Sequence, residues 1–157
     1  MNSVTTFVTC FVMLTVGSPA FGLMKVRPLP NDVVLAIARD VYGGKQPSRL
    51  NVGTWSHVEL DLNHDGKMDY VIAHEDPDYC GSGGCGFLIF VSSPKGYRSA
   101  YNGGNFYMEC WASKVRSHGF SDLVFKGQSY GSDYLHLLRY DGRTYIEIKV
   151  RVEENQQ

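Results

Sequence analysis

The chain has 157 residues, with 15 Lys and Arg against 16 Asp and Glu, so its formal net charge is -1. That length suits one domain with a real hydrophobic core. No basic block or stripe runs along it, which argues against nucleic acid or an anionic membrane surface as a partner.

The first 22 residues, MNSVTTFVTCFVMLTVGSPAFG, contain no Asp, Glu, Lys or Arg. An apolar run from Phe7 to Val16 is followed by Gly-Ser-Pro and then by small residues Ala20 and Gly22. The run is too short to span a bilayer, and the pattern predicts a secretory signal peptide over 1–22, cleaved after Gly22. Cys10 lacks the small-residue context of a lipid-anchored cysteine. Subtracting 22 from 157 leaves 135 residues, 23–157, as one exported domain, periplasmic or secreted. Three cysteines remain in that domain, Cys80, Cys85 and Cys110, an odd number in an oxidising compartment.

In NDVVLAIARDVYGG, Val33, Val34, Ile37, Ala38 and Val41 share one face. Asn31 can cap, Asp32 suits a first turn and Gly43 can stop the helix. The pattern predicts one amphipathic helix over about 32–42. Strand signals fill the rest: SHVELDL, MDYVIAH, GFLIFVSS, GYRSAY, FYMECWA, DLVFKG, DYLHLLRY and TYIEIKVRV. Turn signals separate several of them, and Tyr140-Asp141-Gly142-Arg143 marks a tight hairpin. The expected class is α+β, with one N-terminal amphipathic helix packed on a mostly antiparallel sheet of about six to eight strands.

In DLNHDGKMD, Asp61, Asn63, Asp65 and Asp69 fall at relative positions 1, 3, 5 and 9, with Gly66 at 6. Alternate side-chain oxygens at this spacing can converge on one Ca²⁺, and Lys67 would offer its backbone carbonyl. Position 12 is Ile72, where an EF-hand needs a bidentate glutamate. The stretch resembles the Asp-rich turn of FG-GAP and VCBS-type repeats, D-x-N-x-D-G-x-x-D followed by apolar residues. The resemblance covers residues 61–72 alone, and it implies a structural calcium loop between two strands. Affinity without that glutamate is expected near about 10⁻⁴ to 10⁻³ M. The competing reading is a turn whose Asx side chains bond their own backbone.

Four small residues separate Cys80 from Cys85 in CGSGGC. Glycines at 81, 83 and 84 let the backbone double back, which predicts a Cys80–Cys85 disulfide. Zinc held with Cys110 and His118 is the alternative, at a spacing that matches no common zinc pattern. Cys110, among aromatics in FYMECWA, is expected as a buried free thiol. The Asp-rich turn, this cysteine loop, Asp122-Leu123-Val124 and Tyr140-Asp141-Gly142 together resemble a group of small exported bacterial proteins. That likeness spans most of the exported domain and implies an address and a fold rather than an activity.

Enzyme signals are weak. GQSYG matches G-x-S-x-G, but a nucleophile elbow at Ser129 needs a helix after it, and strand DYLHLLRY follows. His57, His64, His74, His118 and His136 show no metalloenzyme spacing. Glu59 and Asp61 share a strand face, yet no catalytic residue stands out. The leading expectation is a non-catalytic exported binding module, of inhibitor or immunity type, acting on a protein such as a cell-envelope hydrolase. Its contact residues would be Tyr79, Gly81, Ser82, Gly83 and Gly84, beside Asp76 and Asp78, since preordering a loop lowers the entropy lost on binding. Tyr97, Tyr101, Tyr107 and Trp111 are further candidate anchors wherever they are exposed. Two alternatives remain open: a small calcium-stabilised hydrolase or carbohydrate-active enzyme using His118, Asp122 or Asp133, and a calcium-dependent envelope structural protein.

Overall fold

The computed structural model describes residues 22–23, 27–45, 51–75, 77–81, 84–104, 109–129 and 132–153. The expected leader, residues 1–21, lies outside the described residues. The expected cleavage point after Gly22 falls inside β1 (Gly22–Leu23), which pairs antiparallel with Cys110 and Glu109. No helix among the described residues is long and apolar enough to cross a membrane.

After β1 come α1 (Asn31–Val41), β2 (His57–Leu60) and β3 (Asp69–Ala73). A short ribbon follows, β4 (Cys80–Gly81) and β5 (Gly84–Cys85), then β6 (Phe87–Val91) and β7 (Arg98–Gly103). The last four strands are β8 (Glu109–Ser117), β9 (Phe120–Ser129), β10 (Ser132–Tyr140) and β11 (Tyr145–Glu153). Two antiparallel sheets result, ordered β2-β3-β6-β7 and β1-β8-β9-β10-β11, with β4-β5 as a separate pair.

The α+β expectation is therefore corrected. The strands do not form one sheet with a helix as its partner layer. The described residues are mostly antiparallel β, divided between two sheets, with one short α-helix of 11 residues. Nor is that helix the first element, because β1 precedes it. The reason is visible in β6, whose sequence FLIFV is buried at every position. Phe87, Ile89 and Val91 enter a core with Leu123, Phe125, Leu138, Tyr140 and Tyr145 of the other sheet. Leu88 and Phe90 point the opposite way, into a smaller core with Tyr70, Ile72 and Val33, Ala36 and Ile37 of α1. A strand apolar on both faces needs cover on both sides. The main cover is the second sheet, and α1 is an adjunct on the outer face.

Local chemistry fixes the helix ends differently from the sequence reading. Pro30, not Asn31, is the cap, and its carbonyl accepts from the N–H groups of Val33 and Val34, each at 3.0 Å. Proline's fixed φ prepares that geometry without a side-chain cap. At the other end Gly43 takes φ +62° and Gly44 N–H donates to Ala38 O at 2.8 Å. Asp40 then accepts from Ser99 N–H of edge strand β7 at 3.0 Å, and Arg39 donates to Tyr97 O at 2.8 Å. The helix so covers part of an otherwise open sheet edge.

Candidate functional site

Strand register sends the two candidate loops to opposite ends of the molecule. Leu60 and Asp69 flank the Asp-rich loop at one end, while Ala73 and Phe87 pair beside the cysteine loop at the other.

At the first end the loop is held by its own side chains. Asp61 accepts from Asp65 N–H and Gly66 N–H, each at 3.1 Å. Asn63 Oδ1 accepts from Asp65 N–H at 3.1 Å, and Asn63 Nδ2 donates to Asp65 at 3.0 Å. Asp65 accepts from Lys67 N–H at 2.8 Å and from Ser92 Oγ at 2.9 Å. The Lys67 N–H, then Asn63 and Ser92, hold the Asp65 carboxyl below the usual carboxylate range. His64 and Gly66 both take positive φ, +59° and +82°, which lets the chain reverse tightly. Asp69 is fully buried, and its two oxygens accept from Leu62 N–H at 2.8 Å and Ser92 N–H at 2.7 Å. Burial pushes the Asp69 carboxyl up, and those two N–H groups oppose the shift. The loop is also tied to the second sheet: Ser121 N–H donates to Leu62 O at 2.8 Å, and Arg116 donates to Asn63 O at 3.3 Å.

The donor set Asp61, Asn63, Asp65, Lys67 and Asp69 is chemically that of a calcium loop. Its oxygens, however, face backbone and hydroxyl donors, and Asp69 is turned inward to bridge Leu62 and Ser92. Among the described residues no group of three or more His, Cys, Asp or Glu is arranged to hold a metal ion. Asx-type hydrogen bonds hold the loop, and Asp69 forms a buried latch beneath it. Sequence reasoning missed Ser92, which lies 23 residues beyond Asp69 and carries no local signal for that contact.

At the second end Cys80 and Cys85 form a disulfide with S–S 2.05 Å, closing the β4-β5 ribbon. Tyr79 and the glycines at 81 and 84 belong to this turn by backbone; the side chain of Tyr79, and residues Ser82 and Gly83, lie outside the described residues, as does Asp76. The ribbon joins neither sheet. Its base is fixed by His74 N–H donating to Gly86 O at 2.9 Å. His74 is buried, with Tyr42 OH 2.9 Å from Nε2 and the Trp55 ring at 5.1 Å. Gly86 is needed for close approach, since a Cβ there would meet Gly104 O at 3.2 Å. Behind it Phe87 stacks on Tyr101 at 4.7 Å and on Phe125 at 4.3 Å. Tyr101 is thus largely packing, and Tyr97 donates to Met68 O at 3.0 Å beside the helix-side core. Trp111 is half-buried, and Tyr107 lies outside the described residues. Cys110 is buried and free, with burial pushing its thiol up, so it is no zinc ligand with the bridged pair.

The candidate enzyme groups do not converge. His118 sits exposed in the β8-β9 turn at φ +49°, its ring against Gly142. Asp122 is buried and faces Arg139 Nε at 3.3 Å. Asp133 pairs with Gln128 at the opposite end of β9 and β10, and its side chain lies outside the described residues. Ser129 ends strand β9, and β10 follows it. Two pairs escaped the sequence reading: His136 Nδ1 with Glu147 at 2.6 Å, and buried His57 with Glu59 at 3.6 Å. Comparison of the chain with family models, with curated proteins and with solved structures gives no match.

Proposed function

We propose that the chain is a non-catalytic exported binding protein whose contact surface is the disulfide-closed turn from Tyr79 to Cys85. The observation that carries this reading is the Cys80–Cys85 crosslink on a ribbon that belongs to neither sheet. A covalent closure there adds nothing to the ladders of either sheet. Its effect is to restrict the turn, which lowers the entropy lost when a partner docks. The separation of His118, Asp122 and Asp133 weighs against the hydrolytic alternative, because acid-base chemistry needs its groups within reach of one substrate atom.

The partner class is a protein of the cell envelope or the extracellular space, and a cell-envelope hydrolase is the first to assay. Calcium at Asp61, Asn63, Asp65, Lys67 and Asp69 rests on the resemblance to FG-GAP and VCBS-type turns. Each carboxylate that accepts an N–H here keeps further acceptor sites that an ion could use.

The test is capture from an envelope extract by the mature protein, set against Cys80→Ser/Cys85→Ser. The reading expects one specific protein to be retained by the wild type and lost with the double variant while the fold persists. Equal retention by both forms, or no retained protein in extracts with and without calcium, rejects it.

A further inference from the structure

The sequence holds one Asn-Gly step, Asn102-Gly103, and the fold puts it at the end of β7. An asparagine followed by glycine readily closes on its own backbone. Glycine has no side chain to hinder the approach of its nitrogen to the preceding Cγ, and it tolerates the torsions that closure needs. The surroundings favour that closure here. Asn102 is exposed, and its side chain has no hydrogen-bond partner among the described residues. β7 is an end strand of its sheet, and Gly103 is its last residue, so the ladder that restrains the step stops there. The two Asp-Gly steps of the chain are held differently. Asp141 accepts from the N–H groups of Arg143 and Thr144, each at 2.8 Å, and Asp65 accepts from Lys67 N–H at 2.8 Å.

We propose that Asn102 is a site of spontaneous covalent modification, deamidation through a succinimide. The Gly103 nitrogen gives up its proton and attacks Asn102 Cγ. A C–N bond forms there, and the side-chain amide leaves as ammonia. Water then opens the ring. Opening at one carbonyl gives aspartate. Opening at the other gives isoaspartate, with an extra methylene in the main chain. One water enters, one ammonia leaves, and no oxidant or cofactor is consumed. Either product carries a new carboxylate at residue 102. Its position gives the change a consequence. Gly103 pairs with Phe87 and Asn102 with Leu88, close behind the cysteine turn. A Cβ at Gly86 would meet Gly104 O at 3.2 Å and Gly103 O at 3.4 Å, so the end of β7 lies tight against the base of that turn. An extra methylene at residue 102 moves those carbonyls and loosens the base from the side. The effect on a partner rests on the proposed contact surface; the modification itself does not.

The purified protein is incubated warm at mildly alkaline pH, and peptide mapping by mass spectrometry follows each asparagine through its amide-to-acid mass gain. Conversion at Asn102 should be about tenfold or more faster than at Asn31 and Asn51, because the side chains of the following Asp32 and Val52 hinder the attack. Both aspartate and isoaspartate should form there. The amide signals of Gly86 and Phe87 should shift with ageing, while those of Leu62 and Ser92 at the Asp-rich end stay in place. Asn102→Gln, whose longer side chain closes the ring far more slowly, should lose both the conversion and the shifts. Conversion at Asn102 short of that margin, or Gly86 shifts that persist in aged Asn102→Gln, overturns the proposal. Every readout is independent of a partner, so its failure is distinct from a failed capture experiment.

Discussion

The two ends of this molecule hold their loops by opposite means. The Asp-rich end uses side-chain oxygens on backbone N–H groups, with Asp69 buried beneath and Ser92 reaching in from the far strand. The cysteine end uses one covalent bond across a two-residue ribbon. The first device acts in the folded state, through donors that burial would otherwise leave unpaired. The second acts chiefly by restricting the unfolded chain. A latch that depends on buried polar pairing serves the fold. A crosslink on a ribbon outside both sheets serves the shape of the turn itself.

Breaking the latch should have the largest effect. Asp69→Ala strands two buried N–H groups, Leu62 and Ser92, at about 1–3 kcal/mol each, so denaturant unfolding should show a loss of about 3 kcal/mol. A loss below about 1 kcal/mol would mean that water replaces the carboxylate and that no latch exists there. Removing the crosslink should cost less. Cys80→Ser/Cys85→Ser opens a very short loop, for which chain entropy gives about 2 kcal/mol. The unfolding midpoint should fall while native strand signals persist; collapse of both sheets would mean that the ribbon is part of the core after all.

Acid separates the ends more finely. Asp65 and Asp141 are held below the usual carboxylate range by backbone N–H groups, and Asp40 mainly by Arg39. Folded, these groups bind protons less readily than in the unfolded chain. Their contribution is present above the unfolded carboxylate range, near about pH 4, and is lost as pH falls through the lower folded values. Asp69 is raised, so its contribution has the opposite sign and grows on acidification. Stability measured from about pH 6 to pH 3 should therefore fall, and fall more steeply in Asp69→Asn, where the opposing group is gone. An unchanged slope would remove burial of Asp69 from the account.

The smallest effect is expected from calcium. At about 10⁻³ M, an extracellular-range concentration, the melting temperature should rise only slightly, because a ligand present near its dissociation constant stabilises the fold by about 1 kcal/mol or less. A saturable rise that Asp65→Ala abolishes would turn the hydrogen-bonded turn into a metal site.

Much of this was legible in the chain. The longer strand segments, the helix over Asn31–Val41 and the cysteine pairing follow from alternation, from Gly and Pro positions and from the CGSGGC spacing, whereas the two-residue strands β1, β4 and β5 carry no such signal. The division into two sheets was not legible, because alternation tells which residues are buried but not what buries them. FLIFV carried the clue, being apolar on both faces, yet nothing in it names the second sheet as the cover. The Asp-rich spacing was clear while its use was not, since Ser92 enters the latch from another strand. His57 and Glu59 share a face by the period-two rule, but the approach of His57 Nδ1 to the Trp55 carbonyl carries no signal in the sequence. The same limit applies to Asp122 and Arg139, brought together only by the register of β9 on β10.

The most direct test compares the two ends in one binding measurement. Envelope-partner capture is quantified for the wild type, for Cys80→Ser/Cys85→Ser and for Asp65→Ala, each checked to be folded. The account predicts that capture survives Asp65→Ala and is lost with the cysteine pair. Capture lost with Asp65→Ala and kept without the disulfide would contradict it and move the working surface to the Asp-rich end.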